Sequence, residues 1–211
     1  GGSVAWDAKG TGFYYTRYPQ GSERAGEDVN FYQQVYFHKL GTPSSADTYV
    51  IGKEFPRIAE TELSTSRDGS HVLARVSNGD GGEHAFYLRG PDGKWAKIAD
   101  HADKVKRMSL GLDGRLYALS LKDAPRGKIV AMPMSKPDLA KATLVVPESD
   151  ATIDAMAPMK TRLYVDYMVG GPSEVRMFDL AGKPLGTLPT EPVSSVGIGE
   201  RLDGDDILVG T

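Results

Sequence analysis

An apolar phrase repeats along this chain at a nearly constant step, and this repeat limits the possible folds more than any other feature. In each copy a turn precedes apolar residues, the first of which are Phe13, Val72, Leu116, Leu163 and Ile207. The steps between these residues are 59, 44, 47 and 44. A second apolar phrase, anchored at residues 36, 86, 130 and 176, steps by 50, 44 and 46. Two phrases that share one period indicate a repeat architecture.

Each repeat also contains two further short strand signals, one before the first phrase and one after the second. The leading strands are predicted at residues 3–6, 61–64, 106–109, 154–157 and 194–198. The trailing strands are predicted at residues 48–51, 94–98, 143–146 and 185–188. Asp-Gly pairs such as Asp68-Gly69 and Asp113-Gly114 stand between apolar runs, where they favour tight hairpins. Four strands in about 45 residues are typical of a β-propeller blade.

The fold prediction is therefore all-β, a partial β-propeller of about four and a half four-stranded antiparallel blades. We expect residues 1–211 to form a single partial propeller domain, with blades at about 1–52, 53–99, 100–147 and 148–189 and an incomplete blade at 190–211. A polar insertion at residues 19–28 lengthens the first blade. Because the last blade stops after two strands, we expect the chain to be a fragment that self-associates through exposed sheet faces.

Composition excludes several classes of function. The net charge is −3 with acids and bases interleaved, so nucleic acid is not an expected partner. No run approaches the ~20 apolar residues of a membrane span, so no membrane partner is expected. The chain has no cysteine, which rules out disulfides and thiolate ligands but leaves both cytoplasm and periplasm open.

Known catalytic and metal-binding motifs do not occur in the sequence. The G-x-S-x-G pentapeptide of α/β-hydrolases is missing, and the nearest segment, residues 194–197 (SSVG), is predicted to be an innermost strand. None of the histidines, His38, His71, His84 and His101, has another two or four residues away. Residues 203–206 (DGDD) lack the glutamate that completes a calcium loop. We therefore predict no catalytic residue, no metal site and no cofactor in this chain.

One hairpin loop is a candidate for contact with a ligand. Residues 77–84 (SNGDGGEH) join the second and third strands of the second blade and place polar side chains on a glycine-rich backbone. Such loops often carry function because the sheets hold them in place. The candidates are Asn78, Asp80, Glu83 and His84, and the alternative is an ordinary solvated hairpin.

The first hundred residues contain a more specific pattern. Residues 4–6 (VAW), 12–19 (GFYYTRYP) and 35–42 (VYFHKLGT), followed by Asp47, resemble the N-terminal β-propeller of the prolyl oligopeptidase family. Residues 62–64 (ELS), 68–69 (DG) and 94–95 (KW) are similar in order. From about residue 98 onward the resemblance depends on the blade period.

The resemblance implies a function for the parent protein. The family joins its propeller to an α/β-hydrolase domain that carries Ser, Asp and His and cleaves short peptides after proline. The propeller covers the active site and limits entry to small peptides, and the loop equivalent to residues 77–84 faces the internal cavity. The implied partners are thus the catalytic domain of the same protein, which lies outside this chain, and short peptide substrates.

Two alternatives stay open at this point. The first is a stand-alone propeller that binds a protein or a small ligand. The second is the propeller of an oligopeptidase B or an acylaminoacyl peptidase, which share the same architecture.

Overall fold

A computed structural model of the protein describes residues 2–24, 26–191 and 193–211. It consists of short strands and a few single-turn 3-10 helices. Contacts between Cα atoms divide it into two compact units, the first extending through Ala102 and the second starting at Asp103. Within the described ranges, no helix is long and apolar enough to span a membrane.

The first unit contains two antiparallel sheets, each with four strands in chain order. Sheet 1 is formed by β1 (Val4–Trp6), β2 (Gly12–Arg17), β3 (Gln34–Lys39) and β4 (Thr48–Ile51). Sheet 2 is formed by β5 (Ala59–Thr65), β6 (Val72–Asn78), β7 (His84–Arg89) and β8 (Trp95–Ala99). Each strand pairs with the one before it in sequence, which is the meander of a propeller blade.

The second unit contains two further sheets of four strands and one of two. Sheet 3 is formed by β9 (Val105–Leu110), β10 (Arg115–Ser120), β11 (Lys128–Pro133) and β12 (Thr143–Val146). Sheet 4 is formed by β13 (Thr152–Pro158), β14 (Arg162–Met168), β15 (Ser173–Asp179) and β16 (Pro184–Thr187). Sheet 5 is formed by β17 (Gly197–Arg201) and β18 (Ile207–Gly210). The all-β prediction of four sheets and a half is confirmed.

The fifth sheet starts later than the sequence pattern predicts. A strand was expected from residue 194, but β17 begins at Gly197. The backbone before it bonds to Ser173 instead: the Ser173 N–H donates to the Ser194 carbonyl at 3.1 Å, and the Val196 N–H donates to the Ser173 hydroxyl at 2.6 Å. Gly1, Ala25 and Pro192, which fall in the first and last predicted blades and in the insertion, lie outside the described residues.

The repeated Asp-Gly pairs have a common structural role at the hairpins. The Asp68 carboxylate accepts the backbone N–H of Ser70 at 3.0 Å, and Asp113 accepts that of Arg115 at 3.2 Å. Gly69 and Gly114 follow these aspartates with φ of +69° and +79°. Aspartate therefore replaces a missing backbone partner in the turn, while glycine adopts the left-handed conformation at no steric cost.

A half-buried polar network accounts for part of the most specific sequence motif. His38 Nδ1 lies 2.7 Å from Asp47 Oδ1, and the Tyr15 hydroxyl donates to Asp47 Oδ2 at 2.7 Å. Desolvation, and then the hydrogen bond to Asp47, raise the pKa of Tyr15 to about 12. The network ties the loop before β4 to strands β2 and β3, so His38 and Asp47 have a structural role here.

The middle strand β14 of sheet 4 is buried on both faces, and each face contributes to a different core. In β14, Leu163, Val165 and Tyr167 point to a core shared with sheet 3. Tyr164 points the other way, to a core that includes residues of sheet 5. The alternation of side chains along a strand places Asp166 on the same face as Tyr164.

Asp166 is a buried acid within this second core. It is 7% exposed, and its Oδ1 atom has no hydrogen-bond partner among the described residues. Burial raises its pKa to about 6, the nearby carboxylate of Asp154 adds to the rise, and Arg107 opposes it. Because the pKa is higher in the folded state, Asp166 contributes stability below about pH 4 that is lost as the pH rises through about 6.

Replacing this acid removes that pH dependence. Between pH 4 and pH 7 we expect the free energy of unfolding of the wild type to fall by up to roughly 3 kcal/mol because of Asp166, since one pKa unit corresponds to about 1.4 kcal/mol. We expect this fall to be absent in Asp166→Asn. Urea unfolding at several pH values measures the difference between wild type and variant. Asp150→Asn, which neutralises an exposed aspartate, is the control and should keep the wild-type slope. Parallel slopes for wild type and Asp166→Asn would contradict the assignment.

Candidate functional site

The hairpin between β6 and β7 brings all four predicted site residues into one loop. Asn78 ends β6, Asp80 lies in the 3-10 turn Gly79–Gly81, and His84 begins β7. Glu83 directly precedes His84, and its carbonyl accepts the Asn78 N–H at 3.2 Å. These positions place the predicted candidates at one end of sheet 2.

The four side chains differ in exposure. Asp80 and Glu83 are exposed, whereas Asn78 and His84 are half-buried. His84 Nδ1 lies 3.0 Å from the Ser77 hydroxyl, and its ring meets that of Phe86 edge-on at 6.3 Å. The imidazole is thus held in one orientation, and the two carboxylates are available to a cation or to peptide N–H groups in solution.

A small polar pocket lies beside this hairpin, and sequence reasoning missed it. Its volume is about 240 Å³. The residues that line it lie next to the starts of β1, β3 and β5 and the end of β2: Gly2, Ser3, Tyr18, Gln33, Glu60, Thr61 and Glu62. Register pairs of β5 with β6, Ala59 with Asn78 and Glu60 with Ser77, place the pocket next to the candidate loop.

The wall of the pocket is held by buried and half-buried side chains that bond to the backbone. Gln33 is 3% exposed, and its Oε1 accepts the Thr61 N–H at 2.6 Å. The Ser3 hydroxyl accepts the Leu63 N–H at 2.8 Å, and the Ser3 N–H donates to Thr16 Oγ1 at 2.8 Å. These bonds join β1 to β5 and fix the pocket between the two sheets of the first unit.

Thr61 differs from its neighbours in this wall. It is 4% exposed, and its hydroxyl is buried without a hydrogen-bond partner among the described residues. A buried hydroxyl without a partner is costly, so proteins rarely keep one unless it has a use. Glu60 and Glu62 stand on either side of it in sequence, and Glu62 is paired with Arg75, so Glu60 is the carboxylate at this end of β5 that has no partner among the described residues.

The alternation of residue types along β5 predicts part of the pocket lining. Its residues alternate between buried and exposed, with Glu60 and Glu62 on the exposed face and Thr61 on the buried one. The predicted strand began at residue 61, which left Glu60 outside. Gln33 gives no such signal, because only the packing of sheet 1 against sheet 2 brings it to Thr61.

The polar insertion lies at the same end of sheet 1. Arg17 forms a two-point ion pair with Glu23, with both N–O distances 2.8 Å. Hydrogen bonds from Arg17 lower the pKa of Glu23 to about 2. Asp28 pairs with Arg57 at 2.9 Å, which connects the insertion to the chain before β5. The described part of the insertion is therefore anchored close to Tyr18 of the pocket.

The succession of four-stranded sheets agrees with a known family. A family model described as "Prolyl oligopeptidase, N-terminal beta-propeller domain" matches residues 1–210. The chain belongs to the prolyl oligopeptidase family. It represents the propeller of that family, which confirms the resemblance found in its first hundred residues.

Individual prolyl oligopeptidases resemble the chain over nearly all of its length. Prolyl oligopeptidase A of Galerina marginata is 22% identical over 94% of this chain. A solved structure from a study of two prolyl endopeptidases aligns with 99% of the chain at a TM-score of 0.85 and 24% identity. Prolyl oligopeptidase B of Galerina marginata, solved with a 35mer substrate, aligns with 98% at a TM-score of 0.80 and 19% identity.

This chain covers only a small share of the length of these relatives. The chain spans 29% of the length of its curated relative and 31% of the solved endopeptidase chain. At these identities the structural matches establish the propeller fold.

Two buried threonines provide a test of the pocket wall. Thr16→Val should cost about 1–3 kcal/mol, because it leaves the Ser3 N–H without an acceptor. Thr61→Val should leave the free energy of unfolding unchanged to within about 1 kcal/mol or raise it, because that hydroxyl has no partner to lose. Urea unfolding of both variants measures the difference. If both variants lose the same free energy of unfolding, the Thr61 hydroxyl has a hydrogen-bond partner and the structural description of Thr61 is wrong.

Proposed function

We propose that this chain is the substrate-gating propeller portion of a prolyl oligopeptidase-like serine peptidase that hydrolyses short peptides after proline. The observation that carries the proposal is the family match over residues 1–210. The catalytic α/β-hydrolase domain is the partner of the propeller in the same polypeptide, and the propeller contributes no catalytic residue.

The names of the relatives support an enzymatic parent. The curated relatives include prolyl oligopeptidases and prolyl endopeptidases. The solved forms of the Galerina marginata enzyme include a serine, an aspartate and a histidine variant, two of them with a substrate named for hydrolysis and macrocyclization. Serine, aspartate and histidine form the triad of serine hydrolases. Since the chain spans under a third of these enzymes, the triad belongs to the remaining part of such a protein.

A gating role agrees with the physical character of the sheets. Selection by size requires a rigid wall that excludes folded chains and water, and it requires no reactive side chain. Central strands that are buried on both faces supply rigidity, as in β10, where residues 116–120 are all buried. Chemical contact with a peptide is left to the hairpin ends.

The proposed contact surface is the acidic end of the first unit. Asn78, Asp80, Glu83 and His84 offer carboxylates, an amide and an imidazole, and Thr61 offers a buried hydroxyl in the neighbouring pocket. Peptide N–H groups and a terminal ammonium are the groups that such acceptors bind. We expect this surface to contribute to substrate binding and not to the chemical step.

The function is tested on the full polypeptide encoded with this chain. We expect it to hydrolyse a fluorogenic peptide with proline before the scissile bond, and to leave the same sequence uncut within a folded protein. A matched peptide with arginine in place of proline separates the branches of the family. Preference for arginine would assign the protein to the oligopeptidase B type. No cleavage of either peptide would support the stand-alone binding propeller and overturn the proposal.

The contact surface is tested by variants of the same polypeptide. His84→Ala and Asp80→Asn should each lower kcat/KM severalfold on short proline peptides, through KM and with kcat little changed. Asp206→Asn, which neutralises an exposed aspartate in the turn between β17 and β18, is the matched control and should behave as wild type. Unchanged kcat/KM for both loop variants on peptides of several lengths would remove the hairpin from the substrate path.

Self-association of the chain in isolation stays a prediction, and sedimentation at increasing protein concentration measures it.

A further inference from the structure

A second and larger cleft opens at the opposite ends of β6 and β7 from the candidate hairpin. Its volume is about 750 Å³, which is in the range that holds a small ligand. Its lining includes the turn between β1 and β2, the turn between β5 and β6, and the turn between β7 and β8. Because β7 runs from His84 to Arg89 at about 3.3 Å per residue, the two ends lie roughly 17 Å apart.

Glycine allows two of these turns to approach each other closely. Gly69 has φ of +69°, and a Cβ atom at this position would lie 2.3 Å from the Cα of Ala8. Any other residue would both strain the turn and push the β1–β2 turn away. The close approach brings the two sheets together at this side of the cleft.

The two long walls of the cleft are rows of side chains on facing sheets. On sheet 1, Tyr14 and Phe37 are register partners, and their ring centroids lie 5.0 Å apart. On sheet 2, Arg89 and Trp95 are register partners. The ring of Tyr14 meets that of Trp95 edge-on at 6.5 Å. Tyr49 of β4 also lines the cleft, so four aromatic side chains contribute to its walls.

The charged groups of this cleft are not balanced. Arg89 forms no ion pair with any described residue: its guanidinium donates to the Gly90 carbonyl at 3.4 Å and lies 5.3 Å from the ring centroid of Tyr14. Lys9 is exposed at the rim. The one carboxylate in the lining, Asp7, already accepts bonds from Thr11 and Gly12. The cleft is therefore cationic and has unused guanidinium donors.

The indole of Trp95 adds a second unused donor. Its N–H is buried and has no hydrogen-bond acceptor in the part of the chain that the structure describes. Tryptophan N–H groups usually find a partner when they are buried. A guanidinium and an indole on adjacent strands, among aromatic faces, form a site for an anionic acceptor attached to an apolar group.

We propose that this cleft binds a ligand with a free carboxylate next to an apolar or aromatic group, as at the C-terminus of a short peptide. The planar guanidinium of Arg89 matches a carboxylate with two parallel hydrogen bonds. The aromatic walls receive the apolar group. The inference is independent of the proposed peptidase function, since it uses only the residues of the first unit.

Tryptophan fluorescence measures binding at this position. The chain has two tryptophans, Trp6 and Trp95, so a Trp6→Phe background leaves Trp95 as the single reporter inside the cleft. The probes are N-acetyl-glycyl-phenylalanine, its C-terminal amide, and 3-phenylpropanoate. We expect the acid to bind at least about tenfold more tightly than the amide, as for a charged hydrogen-bond pair. Tighter binding of the dipeptide than of 3-phenylpropanoate assigns a peptide as the ligand, and equal binding assigns a small aromatic acid.

Variants of the cation separate charge recognition from general apolar binding. Arg89→Gln should weaken the acid about tenfold or more and leave the amide unchanged, while Arg89→Lys should keep part of the preference. Arg126→Gln, which removes an exposed arginine of the second unit, is the matched control. Equal affinities of acid and amide for the chain with the native Arg89 would overturn the proposal, as would unchanged binding by Arg89→Gln. The comparison of acid with amide needs no Arg89 variant, so it decides the question even if Arg89→Gln does not fold.

Discussion

The burial of central strands such as β7, β10 and β14 on both faces is the constraint on which the rest of this structure depends. In β10, Leu116, Tyr117, Ala118 and Leu119 are all fully buried, although neighbours along a strand point to opposite faces. Such a strand is stable only where apolar groups cover both of its faces. In the second unit, Tyr117 and Leu119 lie in the core that sheet 3 shares with sheet 4. Burial of these side chains from water is the main stabilising term, at about 25 cal/mol per Å² of apolar surface. Backbone polar groups are satisfied by the short ladders within each sheet.

Both candidate sites of the first unit lie towards the ends of the strands, where turns and half-buried side chains are accessible. The two ends of the first unit have opposite character. One carries Asp80, Glu83 and Glu60 around a small polar pocket, and the other carries Arg89 and Lys9 around an aromatic cleft. The same β strands hold both ends, so each site is positioned by a rigid sheet. The acidic end suits ammonium and N–H groups, and the cationic end suits a carboxylate.

Polar groups within the apolar packing are of two kinds, those whose polar atoms all have hydrogen-bond partners and those with an atom that has none. The half-buried Asp47 is satisfied on both oxygens by Tyr15 and His38, so it stabilises the fold and accounts for part of the motif in the first blade. Asp166 and Thr61 are buried with an atom that has no partner among the described residues. Such groups lower the free energy of unfolding. Thr61 borders a pocket, whereas Asp166 lies in the core between sheets 4 and 5 and makes that core sensitive to pH.

The sequence alone determined the class of fold, because a period of apolar phrases and Asp-Gly turns is a local property that one strand and one hairpin already express. It also located the candidate hairpin with Asn78, Asp80, Glu83 and His84, since glycine and polar residues mark loops directly. Only the tertiary structure decided which side chains share a site. Gln33 reaches Thr61, and Arg89 faces Tyr14, through the packing of two sheets whose residues are far apart in sequence. The start of β17 was likewise decided by Ser173, which takes the preceding backbone bonds from another sheet. Contacts between sheets depend on strand register and on which sheet faces pack together, and the residue pattern of a single strand does not specify either.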